Sequence, residues 1–123
     1  MASEQQIRSA VQRYLDTVAT GVSKDIAALY SAGATVEDPV GSPAHVGRAA
    51  IEKFYSALES AQIRTELLTV RVAGDSAAFA FRVTTESDGR TTVIEPIDVM
   101  TFDEDAHITS MRAFWSRVDI TLG

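Results

Sequence analysis

About halfway along the chain, the spacing of apolar residues changes from that of helices to that of strands. Before the change they recur every three to four positions; from about Arg64 onward they alternate, and the alternation lasts to Ile120. A helix repeats every 3.6 residues and a strand every two. One such change therefore prescribes helices first and a long antiparallel meander after them. That order predicts an α+β fold, with helices packed on one face of a curved sheet.

The helical half divides at recognisable signals. Ser3 followed by Gln6 reads as a capping box, with Glu4 favourable in the first turn. Ile7, Ala10, Val11, Tyr14, Leu15 and Val18 then form one apolar stripe, and Gly21 is a stop. Ser23 is expected to cap a shorter second helix carrying Ile26, Leu29 and Tyr30. "ATVED" reads as a short strand broken by Pro39, and "VGSPAHVG" as loop. A third helix follows Gly47, with Ala50, Ile51, Phe54, Tyr55 and Leu58 on its apolar face. In the second half, "RTELLTVRVA", "SAAFAFRVTTES", "TTVIEPIDVMTFD" and "HITSMRAFWSRVDI" read as four strands. They are separated by Gly74-Asp75, Asp88-Gly89 and the acidic "DEDA" turn. No repeat, low-complexity stretch or linker interrupts them, so residues 1–123 are read as one domain.

Composition narrows the function. Hydrophobic residues at 46% and charged ones at 23% are globular values. A net charge of −6 with scattered Lys and Arg argues against nucleic acid or an anionic membrane as partner. The chain has no cysteine, which excludes disulfides, thiolate catalysis and zinc-thiolate sites. "MASEQQIRS" lacks the basic start and apolar block of a signal peptide, and no segment reaches transmembrane length, so a cytoplasmic protein is expected. His45 and His107 fall in predicted loop or turn without ligand spacing, which gives no case for metal. No nucleophile elbow, phosphate loop or dinucleotide fingerprint is present.

Two carboxylates stand out. In "VEDPVG", adjacent Glu37 and Asp38 must point to opposite faces of an extended chain, so one can face water while the other faces the interior. In "TTVIEPIDVMTF", Asp98 shares its parity with Ile94, Pro96, Met100 and Phe102. If that face looks inward, desolvation raises the Asp98 pKa until it carries a proton and becomes a hydrogen-bond donor. If it lies at an edge, the acid reaches water. The three tyrosines, Tyr14, Tyr30 and Tyr55, each fall on the apolar stripe of a different predicted helix. They could bury their rings at the core rim, or join the inward acids as the polar cluster of a small-molecule cavity. Phe114 and Trp115 read as core or interface, or as the wall of that pocket.

The segments "QRYLDTV", "ALYSAGATVEDPVGS", "KFYSAL", "AFAFRV" and "PIDVMTFD…ITSMRAFWSRV" resemble those of the bacterial ketosteroid isomerases, or steroid Δ-isomerases. The likeness runs from about Ile7 to Ile120. It implies the cone-shaped α+β fold of nuclear transport factor-like and SnoaL-like proteins, a homodimer, a 3-oxo steroid as small-molecule partner, and no metal or cofactor. Residue by residue it implies Asp38 as general base, with Tyr14 and a protonated Asp98 as the oxyanion hole. Tyr30 and Tyr55 would extend the hydrogen bonds of Tyr14, and Phe54, Phe81, Met111 and Trp115 would line the steroid cavity. The alternatives are another SnoaL-like enzyme, such as a polyketide cyclase or dehydratase, and a non-catalytic ligand-binding module of the same fold. Apolar side chains on both parities of the last strands add an independent expectation of a dimer built on the sheet. The Asp38-Pro39 bond, at an abrupt strand end, is expected to be cis.

Overall fold

The computed structural model describes residues 1–123. Helix α1 spans Glu4–Thr20 and buries Ile7, Ala10, Val11, Tyr14, Leu15 and Val18. Its start is the expected capping box: the Gln6 amide donates to the Ser3 hydroxyl at 3.1 Å, and the Ser3 amide donates to the Gln6 side chain at 2.7 Å. Gly21 ends it in the left-handed region (φ 71°), where a Cβ would also sit 3.1 Å from the Leu58 carbonyl. Helix α2 covers Ser23–Ala27. Ser23 does not cap it. It is the first helical residue, and its buried hydroxyl donates to Glu59 instead.

Strand β1 runs Tyr30–Glu37, β2 His45–Val46, and helix α3 Arg48–Tyr55. Two expectations change here. Tyr30 begins β1 rather than extending α2, because α2 ends after little more than a turn. His45 is on a strand rather than in loop, paired with Val36 of β1. The Asp38–Pro39 peptide is cis.

The second half contains β3 (Gln62–Ala73), β4 (Ser76–Ser87), β5 (Arg90–Ile94), β6 (Ile97–Phe102), β7 (Ile108–Phe114) and β8 (Ile120–Leu122). The third of the four expected strands is thus two, split at Glu95-Pro96, where proline has no amide to give a ladder. The fourth ends at Phe114, and a 3-10 turn over Arg117–Asp119 separates it from β8. The β4–β5 turn places Asp88 and Gly89 both at positive φ (53° and 75°), the backbone a two-residue hairpin prefers.

All eight strands form one sheet, in the order β2-β1-β7-β6-β4-β5-β8, with β3 on the other edge of β4. Strands β5 and β6 share the remaining edge of β4 in succession, β5 along Val83–Ser87 and β6 along Ser76–Ala80. Every pairing is antiparallel except β1 with β7, which is parallel. The sheet is therefore mixed, and bulges in β3–β4 and β6–β7 add to its curvature. The inward parity of β4 (Ala77, Phe79, Phe81) and β6 (Asp98, Met100, Phe102) meets the apolar faces of α1 and α3 in one core. No helix is long and apolar enough to cross a membrane.

Candidate active site

The core is not filled throughout. Where α1 and α3 diverge from β4, β5 and β6, a cavity of about 270 Å³ remains, walled mostly by apolar side chains. Phe54, Phe81 and Trp115 line it as expected. Met111 does not. It lies one inward position deeper on β7, fully buried opposite Met100, and Ala113 is the β7 residue that reaches the cavity wall.

The first acid comes from the end of β1. Glu37 pairs with Arg112 across the parallel β1–β7 ladder at 3.0 Å, on the outer side. Asp38, one residue on, faces the cavity, as the alternation requires. The Val40 amide donates to the Ala113 carbonyl at 2.8 Å and ties the turn after Asp38 to β7. This brings Trp115 within reach: its indole N–H donates to Asp38 Oδ1 at 2.6 Å. Burial raises the Asp38 pKa, while the Trp115 hydrogen bond and the charge of His45 pull it back down. Asp38 is thus held by a donor but largely out of water, and on balance its pKa stays above the ordinary carboxylate value.

The second acid is Asp98, on β6 between Phe79 of β4 and Ala113 of β7. It is 1% exposed, and neither carboxyl oxygen has a hydrogen-bond partner in the protein. Burial, and secondarily the negative charge of Asp38, hold its pKa well above the usual carboxylate range. A buried polar group without a partner costs free energy, so Asp98 points to something outside the chain that it can hydrogen-bond. The open alternative, an edge position reaching water, is excluded by this burial.

The tyrosines meet in a line. The Tyr30 and Tyr55 hydroxyl oxygens lie 2.7 Å apart, and those of Tyr55 and Tyr14 2.9 Å. All three rings are buried, and burial first of all raises each phenol's pKa. Tyr14 and Tyr55 line the cavity; Tyr30 stands behind Tyr55. The rings come from α1, β1 and α3, so no local pattern could have shown that they touch.

Two arrangements escaped the sequence reading. His45 stacks on the cavity-lining Phe54, ring centroids 4.6 Å apart. Its pairing with Val36 follows from a two-residue strand too short to carry a periodic signal. Asp103, Asp105 and His107 converge on the β6–β7 turn, outside the cavity lining, with His107 Nδ1 3.9 Å from Asp103.

The site therefore sets two carboxyl groups, one hydrogen-bonded and one unpartnered, and a phenol around one apolar space. Such a set can move a proton and stabilise an anion without a metal. Residues 11–111 match the SnoaL-like domain family. A steroid Delta-isomerase of Nocardioides simplex is 56% identical over 117 residues, 95% of each chain. The chain belongs to the steroid Δ-isomerase family. Members of the wider fold diverge in use. An epoxide hydrolase/cyclase-like enzyme of pyran ring formation in the polyether salinomycin superposes with a TM-score of 0.91 over the full length of both chains, at 29% identity. A computationally designed 17-OHP binder does so at 0.87, at 17% identity over 96% of this chain and 98% of that one, which shows the fold alone.

Proposed function

We propose that the chain is a steroid Δ-isomerase converting 3-oxo-Δ5-steroids to 3-oxo-Δ4-steroids by proton transfer through a dienolate. The observation that carries this reading is Asp98: a buried carboxyl with both oxygens unpartnered, in a cavity that also holds the carboxyl of Asp38. The 56% identity to a steroid Delta-isomerase supports it independently.

In this mechanism ionised Asp38 takes a proton from carbon 4 of the substrate. The electron pair of that C–H bond forms a new C=C bond, and negative charge moves to the 3-oxygen. Tyr14 and protonated Asp98 donate hydrogen bonds to this oxygen, aimed before charge develops. One orientation of the phenol line leaves the Tyr14 hydrogen free for the cavity: Tyr30 donates to Tyr55, and Tyr55 to Tyr14. Asp38 then returns the proton to carbon 6, and the charge on oxygen collapses into the conjugated enone. The apolar walls limit loss of the proton to water between the two steps. The raised Asp38 pKa strengthens it as a base at the expense of its charged fraction, and the Trp115 N–H restores that fraction.

The functional unit is proposed to be a homodimer. The outer side of the sheet presents Ile97 and Phe114 as a cross-strand pair, 49% and 43% exposed, with Arg112 stacked over the Phe114 ring. A second copy on that face would cover them.

Mixing the protein with 5-androstene-3,17-dione and following the conjugated enone absorbance tests the reaction directly. Absence of any increase above the buffer rate would refute it.

A further inference from the structure

Beyond the tyrosines, two polar side chains are buried in the whole chain: Asp98, which faces the cavity, and Ser23, which does not. Ser23 is 3% exposed, and the proton transfer makes no use of it. Its hydroxyl donates to Glu59 Oε1, from a residue 36 positions away.

Glu59 belongs to the turn that joins α3 to β3. From Ser56 to Gln62 that turn buries no residue; it hangs between buried Tyr55 before it and buried Ile63 after it. The Glu59 and Ala61 amides donate to the Ser56 and Leu58 carbonyls, inside the turn itself. Only one of its side chains hydrogen-bonds to an element beyond α3, and that is Glu59 to Ser23. The junction of α1 and α2 meets the turn a second time at Gly21, whose missing side chain lets the Leu58 carbonyl come close. Segments with few buried contacts open at a lower free energy than the core does. The tie to Ser23 therefore decides whether this one stays in place.

The turn is also a wall of the active site. Ala57 and Leu58 line the cavity, and Ala57 is exposed as well, which places it at the rim. Val18, in the last turn of α1, lines the cavity too. The Ser23–Glu59 bond thus closes the seam between two walls, the end of α1 and the α3–β3 turn. A steroid is rigid and cannot adapt its shape to a rim, so the position of the rim governs its fit and its passage.

We propose that Ser23 and Glu59 are positioning residues that latch the α3–β3 turn against the end of α1, and so set how tightly the steroid is held and how fast it leaves. This rests on the isomerase reading, which supplies the ligand. With the latch open, Ala57 and Leu58 withdraw from the cavity and the binding-competent fraction falls. Asp38 at the end of β1, Asp98 on β6 and Tyr14 midway along α1 keep their places.

The test measures KM and kcat for 5-androstene-3,17-dione. It also follows dissociation of the product, 4-androstene-3,17-dione, by the fluorescence of Trp115, the chain's single tryptophan and a cavity residue. Ser23→Ala and Glu59→Ala should each raise KM and the dissociation rate by up to about tenfold, the worth of one hydrogen bond, while kcat does not fall. Glu59→Gln keeps an acceptor for the Ser23 hydroxyl and should stay within about threefold of the unaltered chain. The Ser23→Ala, Glu59→Ala double variant should be no worse than the more affected single one, because both changes remove the same interaction. Unchanged KM and dissociation rate in both alanine variants, with only the melting temperature lowered, would overturn the proposal while leaving the isomerase reading intact. A fall in kcat at unchanged KM would do the same, and so would single effects that multiply in the double variant. Glu59 is exposed, so Glu59→Ala decides the matter even where Ser23→Ala does not fold. An unaltered chain that neither turns over the first steroid nor binds the second would overturn the isomerase reading and this one with it.

Discussion

Asp98→Asn should change how stability depends on pH more than it changes stability at any one pH. The native carboxyl is buried, unpartnered and near the Asp38 charge, and all of this favours its protonated form. In the unfolded chain the same group releases its proton near pH 3.9, as an ordinary aspartate does, to within about a unit. Above that pH the native state binds one more proton than the unfolded state at this position. Stability is then full below about pH 4 and is lost as pH rises toward the raised native pKa. One such group contributes a slope of about −1.36 kcal/mol per pH unit within that window. The loss accumulates as pH rises from the unfolded value toward the native one, against a typical stability of only about 5–15 kcal/mol. Asparagine has no proton to lose, and its own unpaired amide adds an offset that does not vary with pH. Asp38, whose pKa is also raised, titrates in both proteins and cancels to first order. Urea unfolding of both proteins at pH 5, 6 and 7, at one protein concentration so that self-association is held fixed, gives the difference directly. The unaltered chain should lose stability relative to the variant as pH rises over that range, by no more than about 1.4 kcal/mol per pH unit. Parallel profiles, agreeing within about 0.5 kcal/mol at all three pH values, would show that Asp98 is ionised in the native protein and refute the argument.

Asp38→Asn should lower kcat about 10²–10⁴-fold with steroid binding kept within a few fold, whereas Glu37→Gln, which loses only the outer pair to Arg112, should leave steady-state rates near normal; the reverse result would mean that the strand register is misassigned. Trp115→Phe removes the 2.6 Å donor to Asp38, so the acid limb of the kcat/KM profile should move to higher pH, and an unmoved limb would show that this hydrogen bond does not tune the base. Asp98→Asn should retain more turnover than Asp98→Leu, because an amide still donates a hydrogen bond; equal losses, measured by enone absorbance, would remove Asp98 from the oxyanion hole. Light scattering at micromolar protein should give twice the chain mass of 13.3 kDa, and Phe114→Glu should shift it toward one; a monomeric unaltered chain would end the dimer proposal.

Much of the molecule was legible because the decisive patterns are local. The capping box at Ser3 and Gln6, the α1 stripe, the change of period near residue 64 and the opposite facing of Glu37 and Asp38 all follow from repeats of two or 3.6 residues. The same alternation placed Asp98 with Met100 and Phe102, though it left open whether that side looked inward or to an edge. Resemblance to a known family suggested the roles, and it placed Met111 at the cavity wall, whereas the depth of that residue in the core depends on where the cavity stops. What the sequence could not decide is nonlocal. Tyr30 left its helix because α2 stops early and β1 pairs with β7, and the split at Pro96 let β5 and β6 share one edge of β4. The contact between Asp38 and Trp115 joins residues 77 positions apart, and it exists because β1 and β7 run parallel, a pairing that no local period encodes. Local periodicity fixes which way a side chain points; only the assembled sheet, with the helices laid across it, decides what it meets.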